Sequence, residues 1–206
     1  MDKKYVVKSF KIPHLLNKIV YRFFRESKAK RSYDNSVKLL KLGINTPKPI
    51  AYIEYYSSIF FTESFYISEF FDYDFEIREV FSDLNYPNRK NILKKFIEFS
   101  YQLHEKGVFH IDYSPGNILI KKEDGEYLFY IIDVNRMKFL PLDNALRMKS
   151  LSKLTKNKDD NDYMLRHYTL VSNINEILLR EKFDFYLKEE IKYLKNKKKL
   201  KKLRGR

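Results

Sequence analysis

Tyr5 to Lys11 alternates apolar and polar residues in part and is rich in Val and Phe, the pattern of a half-buried strand. Pro13 then suits the first turn of a helix. Leu15, Leu16, Ile19, Val20, Phe23 and Phe24 recur at helical spacing while Lys18, Arg22, Arg25 and Lys28 lie elsewhere on the wheel, so an amphipathic, basic helix is expected over Pro13 to Arg31. A second helical run through Val37, Leu39, Leu40 and Leu42 stops at Gly43, and Thr46-Pro47-Lys48-Pro49 forces extended backbone after it. Ile50 to Tyr56 and Phe60 to Phe71 are dense in Ile, Phe and Tyr and read as an antiparallel hairpin turning at Ser57-Ser58.

The period then changes. Ile92, Leu93, Phe96, Ile97, Phe99 and Leu103 repeat helically over Asn88 to Lys106, a helix that Gly107 ends. Ile118 to Ile120 and Tyr127 to Ile132 are short apolar strands joined by a turn over Lys121 to Gly125. From about Leu142 the pattern is helical, with the polar stretch Lys156 to Asp162 expected to separate two helices. The expectation is an α+β chain of two lobes: a small β-rich N-lobe over residues 1–71, a mainly helical C-lobe over 72–187, and a basic tail over 188–206.

Composition narrows the function classes. Cysteine is absent, which removes disulfides, thiolate metal sites and thiol redox chemistry and suits a reducing cytoplasm. Lys8, Lys11 and His14 interrupt any signal-like apolar run, and no stretch approaches the roughly 20 apolar residues of a membrane span, so neither export nor spanning is expected. The net charge of +14 points to an anionic partner, but it is unevenly placed. Ten Lys or Arg face two Glu between Lys188 and Arg206, leaving 31 against 25, or +6, for residues 1–187. A lysine run without interleaved aromatics or a reading motif is a poor nucleic-acid signal, and nucleic acid is not expected as a partner.

The chemistry lies just after Gly107. His110-Ile111-Asp112-Tyr113-Ser114-Pro115-Gly116-Asn117 fits the H-x-D-x-x-x-x-N catalytic loop of kinases, and Asp133 closes the next hairpin, 21 residues after Asp112. Phosphoryl transfer needs a carboxylate to align the attacking hydroxyl, and an Asn and a second Asp to hold Mg²⁺ against the nucleotide phosphates. One loop and one hairpin supply all three.

With these residues the sequence resembles the protein-kinase-like superfamily, and more narrowly the lipopolysaccharide kinases that phosphorylate inner-core Kdo or heptose. The narrower resemblance rests on Val6-Val7-Lys8, Ser27-Lys28-Ala29-Lys30-Arg31-Ser32, Gly43-Ile44-Asn45-Thr46-Pro47, the loop ending Ser114-Pro115-Gly116-Asn117, and Ile132-Asp133-Val134-Asn135-Arg136. It implies ATP and Mg²⁺ as cofactors and a sugar or glycolipid acceptor. It also implies a place in the cytoplasm or at the inner face of the inner membrane, and the basic Pro13 to Arg31 helix together with the Lys188 to Arg206 tail is expected to draw the chain to that anionic surface. Position by position, Lys8 resembles the strand lysine on the nucleotide phosphates, with Lys11 as a competitor, and Val6 would lie against adenine. Ser68-Glu69-Phe70-Phe71 resembles the inter-lobe hinge, with Glu69 and Phe71 at the adenine edge. Asp112 would be the catalytic base, His110 its brace, and Asn117 and Asp133 the metal ligands.

The chain also departs from the family pattern. Only seven residues precede Lys8, so the glycine-rich phosphate cover is expected to be missing. Ser32 stands where related helices carry the Glu that pairs with the strand lysine, with Glu26 and Asp34 as neighbouring substitutes. Asn135 replaces a usual Gly, and Ser114 stands where many protein kinases put Lys, which suits a small-molecule or glycolipid acceptor. The missing cover also motivates a competing class, a pseudokinase that binds or scaffolds.

Overall fold

The computed structural model describes residues 3–10, 26–57 and 60–203. Its contacts divide the chain into two compact units, Met1–Phe75 with Asn117–Met137, and Glu76–Gly116 with Lys138–Arg206. The second hairpin thus packs with the N-terminal residues, although the sequence order suggests it belongs to the C-terminal lobe.

In the first unit, β1 (Tyr5–Phe10), β2 (Pro49–Ser57) and β3 (Phe60–Glu69) form an antiparallel sheet in the order β1-β3-β2. Val6 pairs with Ser68 and Lys8 with Tyr66, so the two-residue period puts Val6 and Lys8 on one face. The expected strand to Phe71 ends at Glu69, where Phe70 donates its N–H to the Lys4 carbonyl instead. Most of the expected Pro13 helix, with Lys11 and Ser58, lies outside the described residues. Its expected end at Arg31 is corrected, because Ser27 is extended (ψ 162°) and its hydroxyl caps Lys30 N–H at 2.9 Å, starting a separate helix, α1 (Lys28–Lys41). Gly43 (φ 67°) closes α1, with its N–H on Leu40 and that of Ile44 on Leu39.

The hairpin β6 (Ile118–Glu123) and β7 (Glu126–Ile131) is longer and turns more tightly than its sequence suggests. Asp124 (φ 49°) and Gly125 (φ 83°) form a two-residue turn whose twist matches the strands, which carries the ladder out to Glu123 and Glu126. The short β4 (Phe75–Glu76) lies beside β6, and the Phe75 ring meets Tyr127 edge-on.

In the second unit, α2 (Ile77–Ser82) leads to α3 (Arg89–Glu105), which buries Ile92, Leu93, Phe96, Ile97 and Leu103. Gly107 (φ 69°) ends α3, and a Cβ there would fall 2.9 Å from the Leu140 carbonyl oxygen. β5 (Val108–His110) then pairs with β8 (Met137–Phe139), which begins at the unit boundary. α4 (Asn144–Leu151), α5 (Lys158–Ser172) and α6 (Glu176–Leu203) complete the unit.

The expected polar separator is largely helix. Asn157 caps the Asp160 N–H, Asp159 and Asp160 sit in the favourable first turn of α5, and both carboxylate oxygens of buried Asp160 accept from one Arg89 nitrogen, Nη2, at 2.7 and 2.8 Å. The basic tail as far as Leu203 is likewise the continuation of α6. Leu179 and Phe183 anchor its start, while Lys188, Lys192, Lys195, Lys199 and Lys202 follow at alternating four- and three-residue steps on one exposed face.

Candidate active site

In the first unit the chain before Asp133 is tied on both sides. Ile131 donates to the Asn45 carbonyl at 3.0 Å and accepts from the Thr46 hydroxyl at 2.7 Å, while Ile132 donates to the Asn117 carbonyl at 3.0 Å. These bonds give the Gly-Ile-Asn-Thr-Pro phrase a physical meaning: it fixes the end of β7. Asp133 then adopts a left-handed conformation (φ 56°, ψ 44°), which Asp tolerates better than most residues, and opens a short 3₁₀ turn over Val134–Arg136. The Asn35 amide on α1 holds the Val134 carbonyl at 2.7 Å.

The turn aims the Asp133 carboxylate at β1. Lys8 Nζ meets Asp133 Oδ1 at 2.7 Å although 125 residues separate them, and the Asn135 amide donates to the same oxygen at 2.6 Å. Asn135, where a Gly is usual, is therefore a support for the carboxylate. Lys8 finds its carboxylate in Asp133, and the two suggested substitutes are corrected: Glu26 and Asp34 both pair with Lys30. Ser32 is buried against the Lys28 carbonyl, and Ser36 bonds the Tyr66 hydroxyl, whose pKa burial raises.

Val6, Lys8, Ser36, Thr46, Tyr66, Glu69, Phe71, Asn117 and Asp133 line one cavity of about 340 Å³, within the usual range for a small-ligand site. Its apolar lining includes Val6, Phe70, Phe71, Leu119 and Ile132, and its polar lining includes Lys8, Asn117 and Asp133. The structure thus brings Val6, Lys8, Glu69, Phe71, Asn117 and Asp133 together in one unit. One carboxylate and one amide oxygen are hard donors that suit Mg²⁺. Among the described residues no group of three His, Asp or Glu could cage a cation, so an ion here would share its coordination with phosphate and water.

The second unit carries the rest of the loop. His110 is buried, and its Nδ1 accepts the Asp112 N–H at 3.0 Å. The Ser114 N–H donates to the Asp112 carbonyl at 2.8 Å. Tyr113 points into the core, stacked on Phe96 with its hydroxyl 2.8 Å from that of Ser100, and burial pushes its pKa up. Lys153 Nζ donates to the Ile111 carbonyl. Asp112 is therefore flanked by two core anchors, His110 and Tyr113. At Gly116 a Cβ would lie 1.6 Å from the Arg78 guanidinium, so that exposed side chain would have to swing aside for any larger residue.

The sequence pattern of the lipopolysaccharide kinase (Kdo/WaaP) family matches residues 2–171. The chain belongs to that family. It is a kinase, a phosphotransferase, and its mixed fold with a small antiparallel N-terminal lobe is protein-kinase-like. Among solved structures the kinase is similar to WaaP in complex with acyl carrier protein, at 17% identity and TM-score 0.56 over 82% of this chain and 76% of that one. It is also similar, at 16% identity and TM-score 0.47 over 85% and 56% of the two chains, to the Rio2 kinase of Chaetomium thermophilum in its ADP/Mg²⁺-phosphoaspartate complex. Among curated proteins none matches the kinase in sequence. No described helix of the kinase is long and apolar enough to cross a membrane.

Proposed function

We propose that the kinase transfers the γ-phosphoryl group of ATP to a Kdo or heptose hydroxyl on the lipopolysaccharide inner core or its lipid A precursor. The observation that carries this reading is the contact of Lys8 with Asp133 in the lining of a largely apolar cavity of small-ligand size. Val6 and Phe71 pack against adenine and the backbone of Glu69 to Phe71 reads its edge. Lys8 binds the phosphates, and Asn117 and Asp133 would hold Mg²⁺, which when bound neutralises phosphate charge. Asp112 accepts the proton of the sugar hydroxyl as that oxygen bonds to phosphorus and the bond to the departing ADP oxygen breaks. His110 holds the Asp112 backbone in place.

The purified kinase incubated with labelled ATP, Mg²⁺ and lipid A precursors bearing Kdo, with or without heptose, tests this directly. Label in the lipid fraction is the expected result, and the acceptor that takes it names the sugar. Label in protein alone, or ATP turnover that no acceptor stimulates, overturns the sugar assignment.

The exposed lysine row on α6 favours work as a peripheral protein at the anionic inner face of the inner membrane, where a lipid-linked acceptor resides. Salt-sensitive pelleting with anionic but not neutral vesicles, lost when the chain ends at Leu187, is expected. Equal pelleting with both lipids removes this assignment.

A further inference from the structure

The loop His110 to Asn117 contains no Lys or Arg, and Ser114 stands where many kinases place a loop lysine. Phosphoryl transfer nonetheless gathers negative charge around the hydroxyl that the loop carboxylate orients, and fixed cations there lower its energy. The second unit brings one in from elsewhere. Lys153 follows the C-cap of α4, Ser152, and its own N–H bonds the Ser150 carbonyl. Its side chain crosses to the loop and donates to the carbonyl of Ile111, the peptide that leads into Asp112.

The surroundings of Lys153 are those of a held charge. Asp112 from the loop and Glu190 from α6 attract it, Lys149 on α4 repels it, and Lys156 lies close enough to feel its charge. Half-burial draws its pKa down and the two carboxylates oppose that. The bond to Ile111 uses one of the three N–H groups of the ammonium, leaving two for whatever approaches Asp112. A lysine serving only to cover apolar surface would keep its head in water.

We infer that Lys153 is a positioning residue for phosphoryl transfer: its ammonium fixes the Ile111–Asp112 peptide and sets beside Asp112 the positive charge that Ser114 does not supply. The inference rests on the proposed transfer reaction and adds a residue to it.

The test uses the full chain with Lys153→Met and Lys153→Arg variants. Steady-state kinetics with ATP, Mg²⁺ and a Kdo-bearing lipid A precursor is one arm, and hydrogen exchange of residues 111–114 without substrate is the other. Lys153→Met is expected to lower kcat about 10- to 100-fold with KM for ATP within about twofold, while Lys153→Arg recovers a third or more of kcat. Exchange at 111–114 is expected to rise at least about fivefold in Lys153→Met, with α3 unchanged and the arginine variant close to wild type. Wild-type kcat or unchanged loop exchange in Lys153→Met overturns the inference, as does faster exchange throughout α3, which would make Lys153 a fold-holding residue only. A wild-type chain inactive on every sugar acceptor defeats the transfer reading instead, and the exchange arm still decides whether Lys153 holds the loop.

Discussion

The two units hold Asp133 and Asp112, the carboxylates proposed for the reaction, by different physical means. In the first, Asp133 sits on a left-handed turn, partly exposed, and is steadied by polar partners: Lys8, Asn135, the carbonyls of Asn45 and Asn117, and the Thr46 hydroxyl. In the second, Asp112 stands between two residues sunk in the core, His110 and Tyr113, with Lys153 gripping the preceding peptide. Polar support couples the Asp133 site to its turn, so damage there should stay local. Core support couples the Asp112 loop to the stability of its whole unit, so damage to the anchors should register first as unfolding.

The largest effect should come from the carboxylate itself and spare the fold. Asp112→Asn is expected to lower kcat by about 10³-fold, within the range of a lost general base, while thermal melting stays within a few degrees of wild type. Retained turnover on an identified acceptor would break the comparison at its centre. Next in size, Asp133→Asn keeps a residue at ease in the left-handed region and removes the charge. Calorimetry should show Mg²⁺-dependent nucleotide affinity falling about tenfold or more, with a smaller loss for Asn117→Ala. The reverse ranking would move the main cation contact to the loop.

Acid should then separate the units. His104 is buried against the Tyr168 hydroxyl at 2.8 Å, and burial, aided by the Arg147 charge, holds its pKa down to about 3. Its folded-state pKa lies below its ordinary value, so the unfolded chain binds a proton first as pH falls. The stability it contributes is complete above about pH 6.5 and declines by about 1.4 kcal/mol per pH unit from there toward 3. Urea unfolding of wild type and His104→Asn at pH 7, 5 and 4 should show a steeper acid loss in wild type. Parallel slopes would mean that His104 takes up its proton while still folded.

The smallest effect tests the core anchor. Tyr113→Phe deletes one partner of the Ser100 bond and should cost about 1 kcal/mol of stability, with kcat within about threefold of wild type. A large loss of kcat without loss of stability would show the tyrosine acting on Asp112 directly.

What could be read in the sequence follows from distance along the chain. The loop His110 to Asn117, the helix that precedes it and the hairpin that follows are local patterns, and motif spacing and helical or alternating periods report them. The family phrases placed Lys8, Asn117 and Asp133, which line one cavity. The supports were not legible because they join distant residues: Thr46 to Ile131, Asn35 to Val134, Lys153 to Ile111. Asn135 could be seen only as a missing glycine. The first turn of α5 looked like a linker because nothing near Asp160 in the chain reveals Arg89, the partner that makes a buried carboxylate tolerable there.

The lysine row of α6 makes the last turns of that helix a polyelectrolyte. The Cβ atoms of lysines three and four residues apart lie roughly 5–6 Å from one another, which crowds their charges onto one face within reach of a screening length of about 8 Å at physiological ionic strength. Added salt should therefore tighten this helix while loosening an exposed ion pair such as Lys30 with Glu26. The Glu26–Lys30 pair and the far end of α6 should thus respond to ionic strength with opposite sign, and circular dichroism on a salt titration would read the α6 response as a gain of helix beyond Leu187.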